Sequence, residues 1–422
     1  MIKTLMSDQK ISCLNSVKRI RLNGYKRPQI PYINTKLRYN KNHGRLIREA
    51  GDLTCSISIS KSEDTGYHHL GRESELIGKY SKNLSYTQDT GINITTKGGL
   101  IVLGIFDGHG GNAYSFYTEK VASRVFRKKL DNEWKKIYLR YKGSPNEFVE
   151  IERNKGKLLR ELAVEINKLT DEMIEELCVC TTSGTTVNFV IIDRLSRSMY
   201  SYNLGDSKYM ILEPSVNYNS LFHDFNQTII NSVYNDTYSN FKKEEIKRDN
   251  GMNVIGTRDH SADDELEKER AKKLKIPIYQ DSRGTWRLNG QLMVTGGYGD
   301  KSYRGLRRAY SSNPGHNDEG EIYRRDIMRG GAGVLTSDGI FESLTEGSSM
   351  LKFRQHRIDA IEKYISENRK IPNLALGLIE SQLAEIESIG GDYCLTGLKF
   401  GKGPSPWINE WDNHLLYVVK FN

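Results

Sequence analysis

The sequence predicts an α+β fold with antiparallel sheets, and three observations lead there. Strand-like runs follow one another through short turns between Thr185 and Leu212, which favours hairpins over crossovers. Long helical patterns come in pairs, Ala113–Leu130 with Lys157–Leu177 and Asp359–Ser366 with Asn373–Ser388. Strands and helices therefore do not alternate strictly, as a parallel sheet would require.

Taken in order, Leu100 to Phe106 is an unbroken apolar run, the mark of a buried strand. Ala113 to Leu130 places Tyr114, Tyr117, Val121 and Val125 on one side of a helix. Lys157 to Leu177 repeats that spacing with Leu159, Leu162, Ile166, Leu169 and Ile174. Thr185–Asp193, Ser198–Leu204 and Lys208–Leu212 read as three strands of a meander. Residues 213–259 are polar, rich in Asn, Asp and Tyr, and read as a long surface insertion. Asp263 to Leu274 is a charged helix, and strand character resumes at Trp286–Val294, Ala332–Thr336, Cys394–Phe400 and His414–Phe421.

At 422 residues and 37% hydrophobic, the chain can bury one large core or two ordinary ones. A mean hydropathy of −0.60, without an apolar run near 18 residues, argues against a transmembrane segment. The net charge of +9 is unevenly placed: the first 48 residues hold twelve Lys or Arg and one acid, Asp8. The remainder is nearly neutral, so the charge belongs to a tail and not to a nucleic-acid-binding surface. Residues 1–50 fit a mitochondrial transit peptide or a plain basic tail on a cytoplasmic or nuclear protein, with the domain at 51–422. Five cysteines (Cys13, Cys55, Cys178, Cys180, Cys394) follow no zinc or disulfide spacing.

The chemistry lies at strand ends. Ile105-Phe106-Asp107-Gly108-His109-Gly110-Gly111 delivers a carboxylate, a bare backbone and an imidazole behind a buried run. Asp206, Asp338 and Asp392 likewise adjoin glycines beside strand-like runs. Singly each is more often a turn or helix cap. Together, four carboxylates on an antiparallel scaffold can converge, and an all-oxygen donor set favours Mg²⁺ or Mn²⁺ over zinc or copper. The carbonyl of Gly108 can reach a metal because no side chain crowds it, and His109 beside it can give a proton to a leaving oxygen.

The ordered motifs resemble the metal-dependent protein phosphatase 2C family. They are Asp107-Gly-His-Gly-Gly, Ser183-Gly-Thr-Thr, Asn203-Leu-Gly-Asp-Ser, Leu288-Asn-Gly-Gln-Leu leading to Gly299-Asp300, Thr336-Ser-Asp-Gly, and Gly391-Asp392. The resemblance spans roughly residues 80–400 and implies a four-layer αββα sandwich. It also implies hydrolysis of phosphoserine and phosphothreonine in protein substrates by a monomer with two or three Mg²⁺ or Mn²⁺ ions. On it, Asp107 bridges two ions, Gly108 offers its carbonyl, and Asp338 and Asp392 hold the second ion. Asp206 with Asp338 holds a third, Asp89 acts through water, and His109 is the general acid. Ser183–Thr186 and Gly299-Asp300 would be structural. The sequence departs from the family at Gln88, where Glu is common, and at Leu84, where an Arg grips the phosphate. Lys82 or Arg72 would have to replace that Arg, and Tyr393 stands where Asn is usual. These departures define a rival reading, a pseudophosphatase serving as a regulatory module.

Overall fold

A computed structural model of the chain describes residues 36–40, 45–53, 57–64, 89–176, 183–214, 245–247, 252–273, 275–281, 286–290, 292–300, 320–327, 330–338, 350–368, 374–375, 377–378, 381 and 414–421. The elements begin with β1 Lys36–Asn40, β2 Arg45–Leu53, β3 Ile57–Asp64, β4 Thr90–Thr95, β5 Ile101–Phe106 and β6 Gly108–His109. Then come α1 Ala113–Val125, a π-helical turn Phe126–Leu130, α2 Asp131–Tyr141, α3 Glu147–Glu176, β7 Gly184–Thr185, β8 Val187–Asp193, β9 Ser198–Leu204 and β10 Lys208–Pro214. The chain continues through β11 Glu245–Lys247, β12 Met252–Gly256, α4 Glu265–Lys273, β13 Ile278–Gln280, β14 Trp286–Leu288 and β15 Tyr298–Gly299. It closes with β16 Glu321–Asp326, β17 Ala332–Thr336, α5 Met350–Glu367 and β18 His414–Phe421.

Two sheets dominate. One has five strands in the order β16-β9-β8-β5-β4, and the other eight in the order β1-β2-β3-β18-β17-β10-β12-β11. Every pairing within them is antiparallel. Because side chains alternate along a strand, each sheet has two faces, and among the described residues each sheet buries apolar side chains on both. Ile101, Leu103, Ile105, Val190 and Ile192 of the smaller sheet meet Tyr209, Ile211, Leu335, Tyr417 and Val419 of the larger. The opposite face of the smaller sheet, with Val102, Phe189, Ile191 and Tyr202, packs on Val121, Leu159, Leu162 and Ile166 of α1 and α3. Met210, Leu212, Val334 and Val418 pack outward on Ile358, Ile361 and Ile365 of α5. The result is helix, sheet, sheet, helix: the α+β sandwich. Burial on both faces explains why β5 reads as a continuous apolar run, with all six residues buried.

Several expectations need correction. The third strand of the expected meander, β10, does not pair with β9; it crosses to the eight-stranded sheet, between β17 and β12. The end of the expected surface insertion is strand: β11 and β12 extend that sheet, with Val254 buried. Helix α3 begins ten residues before Lys157, because its first turns bury Glu152 and Lys155 and so interrupt the apolar spacing. Among the described residues the first strand, β1, lies at Lys36–Asn40, within residues 1–50. Of Trp286–Val294, only Trp286–Leu288 forms a strand, paired with β13. Cys394–Phe400 lies outside the described residues, as does most of Asn373–Ser388.

Candidate metal centre

The strand register brings distant parts of the chain to one edge of the sandwich. Thr90 pairs with Phe106, Val187 with Leu204, and Lys208 with Thr336. The start of β4, the ends of β5 and β9, the start of β10 and the end of β17 therefore share that edge. Asp89, Asp107, Asp206 and Asp338 are the residues placed just beyond those ends. Three of them close up: each of Asp107, Asp206 and Asp338 places a carboxylate oxygen within 4.8 Å of the other two. The backbone N–H of Asp338 donates to Asp107 Oδ2 at 3.4 Å, tying the two sheets together at the cluster. Asp206 is 2% exposed and Asp107 9%. Asp89, buried at 1%, stands at the same edge but is not one of the three.

Each carboxylate rests on a fixed piece of backbone. The carbonyl of Asp107 accepts from Thr186 N–H at 2.8 Å and from Thr185 Oγ1 at 2.9 Å, so Ser183-Gly-Thr-Thr supports the cluster from behind. Asp206 sits on the turn by which the chain crosses between sheets. Gly205 takes φ +116° there, and a Cβ would approach Thr186 Cγ2 to 2.6 Å, so only glycine fits. The Ser207 and Thr186 hydroxyls share a 2.6 Å hydrogen bond, and Asn188 Nδ2 donates to the Ser207 carbonyl at 3.2 Å. Asp338 follows Ser337, whose N–H donates to the Leu415 carbonyl while its Oγ accepts from Leu415 N–H.

His260 anchors the Asp206 turn from the other side. Its Nδ1 accepts from Gly205 N–H at 3.2 Å, and its own N–H donates to the Gly205 carbonyl at 2.9 Å. Its Nε2 faces Glu321 Oε1 at 3.4 Å. Arg258 donates to the same carboxylate at 2.8 Å and also to those of Asp264 and Glu267. Burial pushes the Glu321 carboxyl up, but His260 and Arg258 outweigh it and hold the group at about 2. A depressed carboxyl contributes stability that is fully present above its unfolded value, here 4.5, and is lost as pH falls through the folded one. Unfolding free energy should therefore decline as pH drops from about 4.5 towards 2. Denaturant titrations across that range should show a flatter decline for Glu321→Gln than for the wild type.

His109 emerges from β6 beside the cluster. Its Nε2 lies 2.7 Å from Asp300 Oδ2, and Asp300 is 1% exposed. Strands β15, β7 and β6 form a short ribbon that sets this pair, and Asp300 N–H donates to the Ser183 carbonyl at 3.0 Å. Asp300, expected from the motif to be structural, touches the imidazole. No local signal pointed to it, since the partners are 191 residues apart. Gly108 is buried next to Asp107. Asp392, Lys82 and Arg72 lie outside the described residues, as do Gln88, Leu84 and Tyr393.

Three carboxylates from three strand ends, with no thiolate or imidazole among the gathered donors, fit hard divalent cations such as Mg²⁺ or Mn²⁺. Among the described residues no helix is long and apolar enough to cross a membrane.

No protein-family model and no curated protein matches the chain. Solved structures do resemble it. A crystal structure of serine-threonine phosphatase 2C from Toxoplasma gondii aligns over 89% of this chain and 99% of its own, at 14% identity and a TM-score of 0.54. A phosphatase from a pathogenic strain of Toxoplasma gondii aligns over 90% and 96%, at 14% identity and a TM-score of 0.49. A C. elegans sex-determining protein aligns over 88% and 66%, at 17% identity and a TM-score of 0.46. The chain shares the fold of the first of these, the antiparallel α+β sandwich of a phosphatase 2C.

Proposed function

We propose that this chain is a Mg²⁺- or Mn²⁺-dependent phosphatase acting on phosphoserine and phosphothreonine in proteins. The observation that carries this reading is the convergence of Asp107, Asp206 and Asp338 at one edge of the sandwich. The shared fold with a phosphatase 2C structure supports it. Bound there, divalent ions supply activated water at neutral pH and offset the charge of a phosphate under attack.

The chain's own residues do the rest. Asp107, Asp206 and Asp338 would hold the ions, the Gly108 carbonyl and Asp392 would complete the donor set, and Asp89 would act through water. The hydrogen bonds around Thr185, Ser337 and His260 hold the backbone that carries the carboxylates, as supporting contacts around a metal site do. His109 gives a proton to the departing serine or threonine oxygen. Lys82 and Arg72 are the cations proposed for the substrate phosphate; a lysine there acts as a point charge and not as a bidentate fork.

The test is hydrolysis of p-nitrophenyl phosphate and of a phosphothreonine peptide by the full chain, in EDTA and after addition of Mg²⁺ or Mn²⁺. Turnover absent in EDTA and restored by either ion is the expected result. Absence of turnover by folded protein with both ions and both substrates would refute the proposal and favour the regulatory-module reading.

A further inference from the structure

We infer that Asp300 is a positioning residue for His109, fixing the imidazole so that Nδ1, and not Nε2, is the nitrogen that delivers the proton. The inference rests on the phosphatase reading and extends it to a residue and an atom. An ionised carboxylate only accepts hydrogen bonds, so at 2.7 Å from Asp300 Oδ2 the Nε2 atom must carry its hydrogen. Nδ1 is then the ring nitrogen left for a substrate oxygen.

The surroundings are built for that pair. Asp300 is a non-glycine residue at φ +48°, a costly backbone for most side chains but one that Asp and Asn tolerate. Its N–H is held by the Ser183 carbonyl, and the preceding Gly299 pairs with Gly184 across the ribbon. Gly184 also pairs with His109 on its other side. A Cβ on Gly184 would run into both Asp300 Oδ2 and His109 Nε2. The glycine of Ser183-Gly-Thr-Thr thus leaves room for this hydrogen bond. The imidazole itself remains 24% exposed, open to a substrate, while its carboxylate partner is buried at 1%.

The phosphorus–oxygen bond to the serine or threonine side chain breaks as water forms the new bond to phosphorus. The imidazolium gives its Nδ1 proton to the departing oxygen, producing the alcohol. The ring is left neutral with Nε2–H still on Asp300, and it recovers a proton from the attacking water by way of solvent.

A leaving-group comparison separates this role from a merely structural one. The p-nitrophenolate ion leaves without a proton, whereas a serine or threonine oxygen needs one. Asp300→Asn keeps a residue suited to the left-handed backbone. It should lower kcat on a phosphothreonine peptide by roughly a hundredfold while altering p-nitrophenyl phosphate turnover by less than about threefold, as loss of general-acid help predicts. The double variant with His109→Asn should be no slower than His109→Asn alone. Gly184→Ala, which leaves both side chains but obstructs their contact, should show the same substrate selectivity in its loss. Independently of activity and metal, nitrogen-15 NMR of the neutral ring should place the His109 hydrogen on Nε2 in the wild type and show a mixture of the Nε2–H and Nδ1–H tautomers in Asp300→Asn. Equal losses on the two substrates, additive losses in the double variant, or an Nδ1–H ring in the wild type would overturn the role of Asp300. No turnover by the wild type on either substrate would instead overturn the phosphatase reading on which it rests.

Discussion

On the proposed function, replacing Asp107 with asparagine is expected to lower kcat/KM on a phosphothreonine peptide by at least about a thousandfold, because ions held there would supply several kcal/mol of transition-state stabilisation. The Asp107 carboxylate joins those of Asp206 and Asp338 within 4.8 Å, and its Oδ2 also receives the Asp338 N–H. Asp338→Asn should behave likewise. The same substitutions should have the opposite effect on the fold in EDTA. Like charges 4.8 Å apart repel by on the order of 3 kcal/mol per pair at an effective dielectric near 20, before the cluster relaxes. Asp107→Asn and Asp338→Asn should therefore raise Tm without metal and lose much of the Tm gain that Mn²⁺ gives the wild type. A variant that is inactive because it is misfolded would show a lower Tm in EDTA, so calorimetry distinguishes the two.

Lys155→Ala is expected to cost about 3–5 kcal/mol of stability, the usual consequence of breaking a buried ion pair from one side. The Lys155 side chain is fully buried beneath α2, between α3 and the five-stranded sheet. Its Nζ donates to Tyr200 Oη at 2.9 Å and Tyr138 Oη at 3.0 Å, and lies 3.4 Å from Asp193 Oδ2. It also stands 4.5–4.9 Å from the ring centroids of Tyr138, Trp134 and Tyr200. Burial opposes the charge, but Tyr200, Glu152 and Tyr138 outweigh it and raise the pKa. Without the ammonium, Asp193 and Glu152 would remain buried with their charges less well compensated. Asp193 ends β8 opposite Ser198, at the other end of the sheet from Val187 and the three-aspartate cluster. Phosphatase activity per folded molecule should accordingly change by less than about twofold. A stability loss below about 1 kcal/mol in denaturant titration, the level of a surface pair, would show that this network contributes little.

That network also shows where the fold could not be read from the sequence. The strands buried on both apolar faces, β5, β8 and β17, announce themselves as continuous runs. Strand β16 does not, because its Glu321, Arg324 and Arg325 are buried charged residues. The first turns of α3 fail for the same reason, with Glu152 and Lys155 facing inward. Hydrophobic periodicity sees burial only where burial is apolar. The crossing of β10 to the second sheet was equally hidden, since a three-residue turn in sequence looks the same for a hairpin as for a change of sheet.

The centre itself was more legible than the scaffold. Asp107, Asp206 and Asp338 each adjoin a glycine at a strand end, and the structure gathers these three. What sequence spacing could not supply was the neighbour relations across the fold: His260 against Gly205, and Asp300 against His109. Both depend on which strands pair, and neither partner lies near the other along the chain.

The most direct measurement is calorimetric titration of Mn²⁺ into metal-free wild-type chain, alongside Asp107→Asn and Asp338→Asn. The wild type should bind at least two ions, and each variant should lose at least one or bind it far more weakly. Wild-type chain that takes up no Mn²⁺, or variants that bind it as the wild type does, would contradict a divalent-cation centre at the three aspartates.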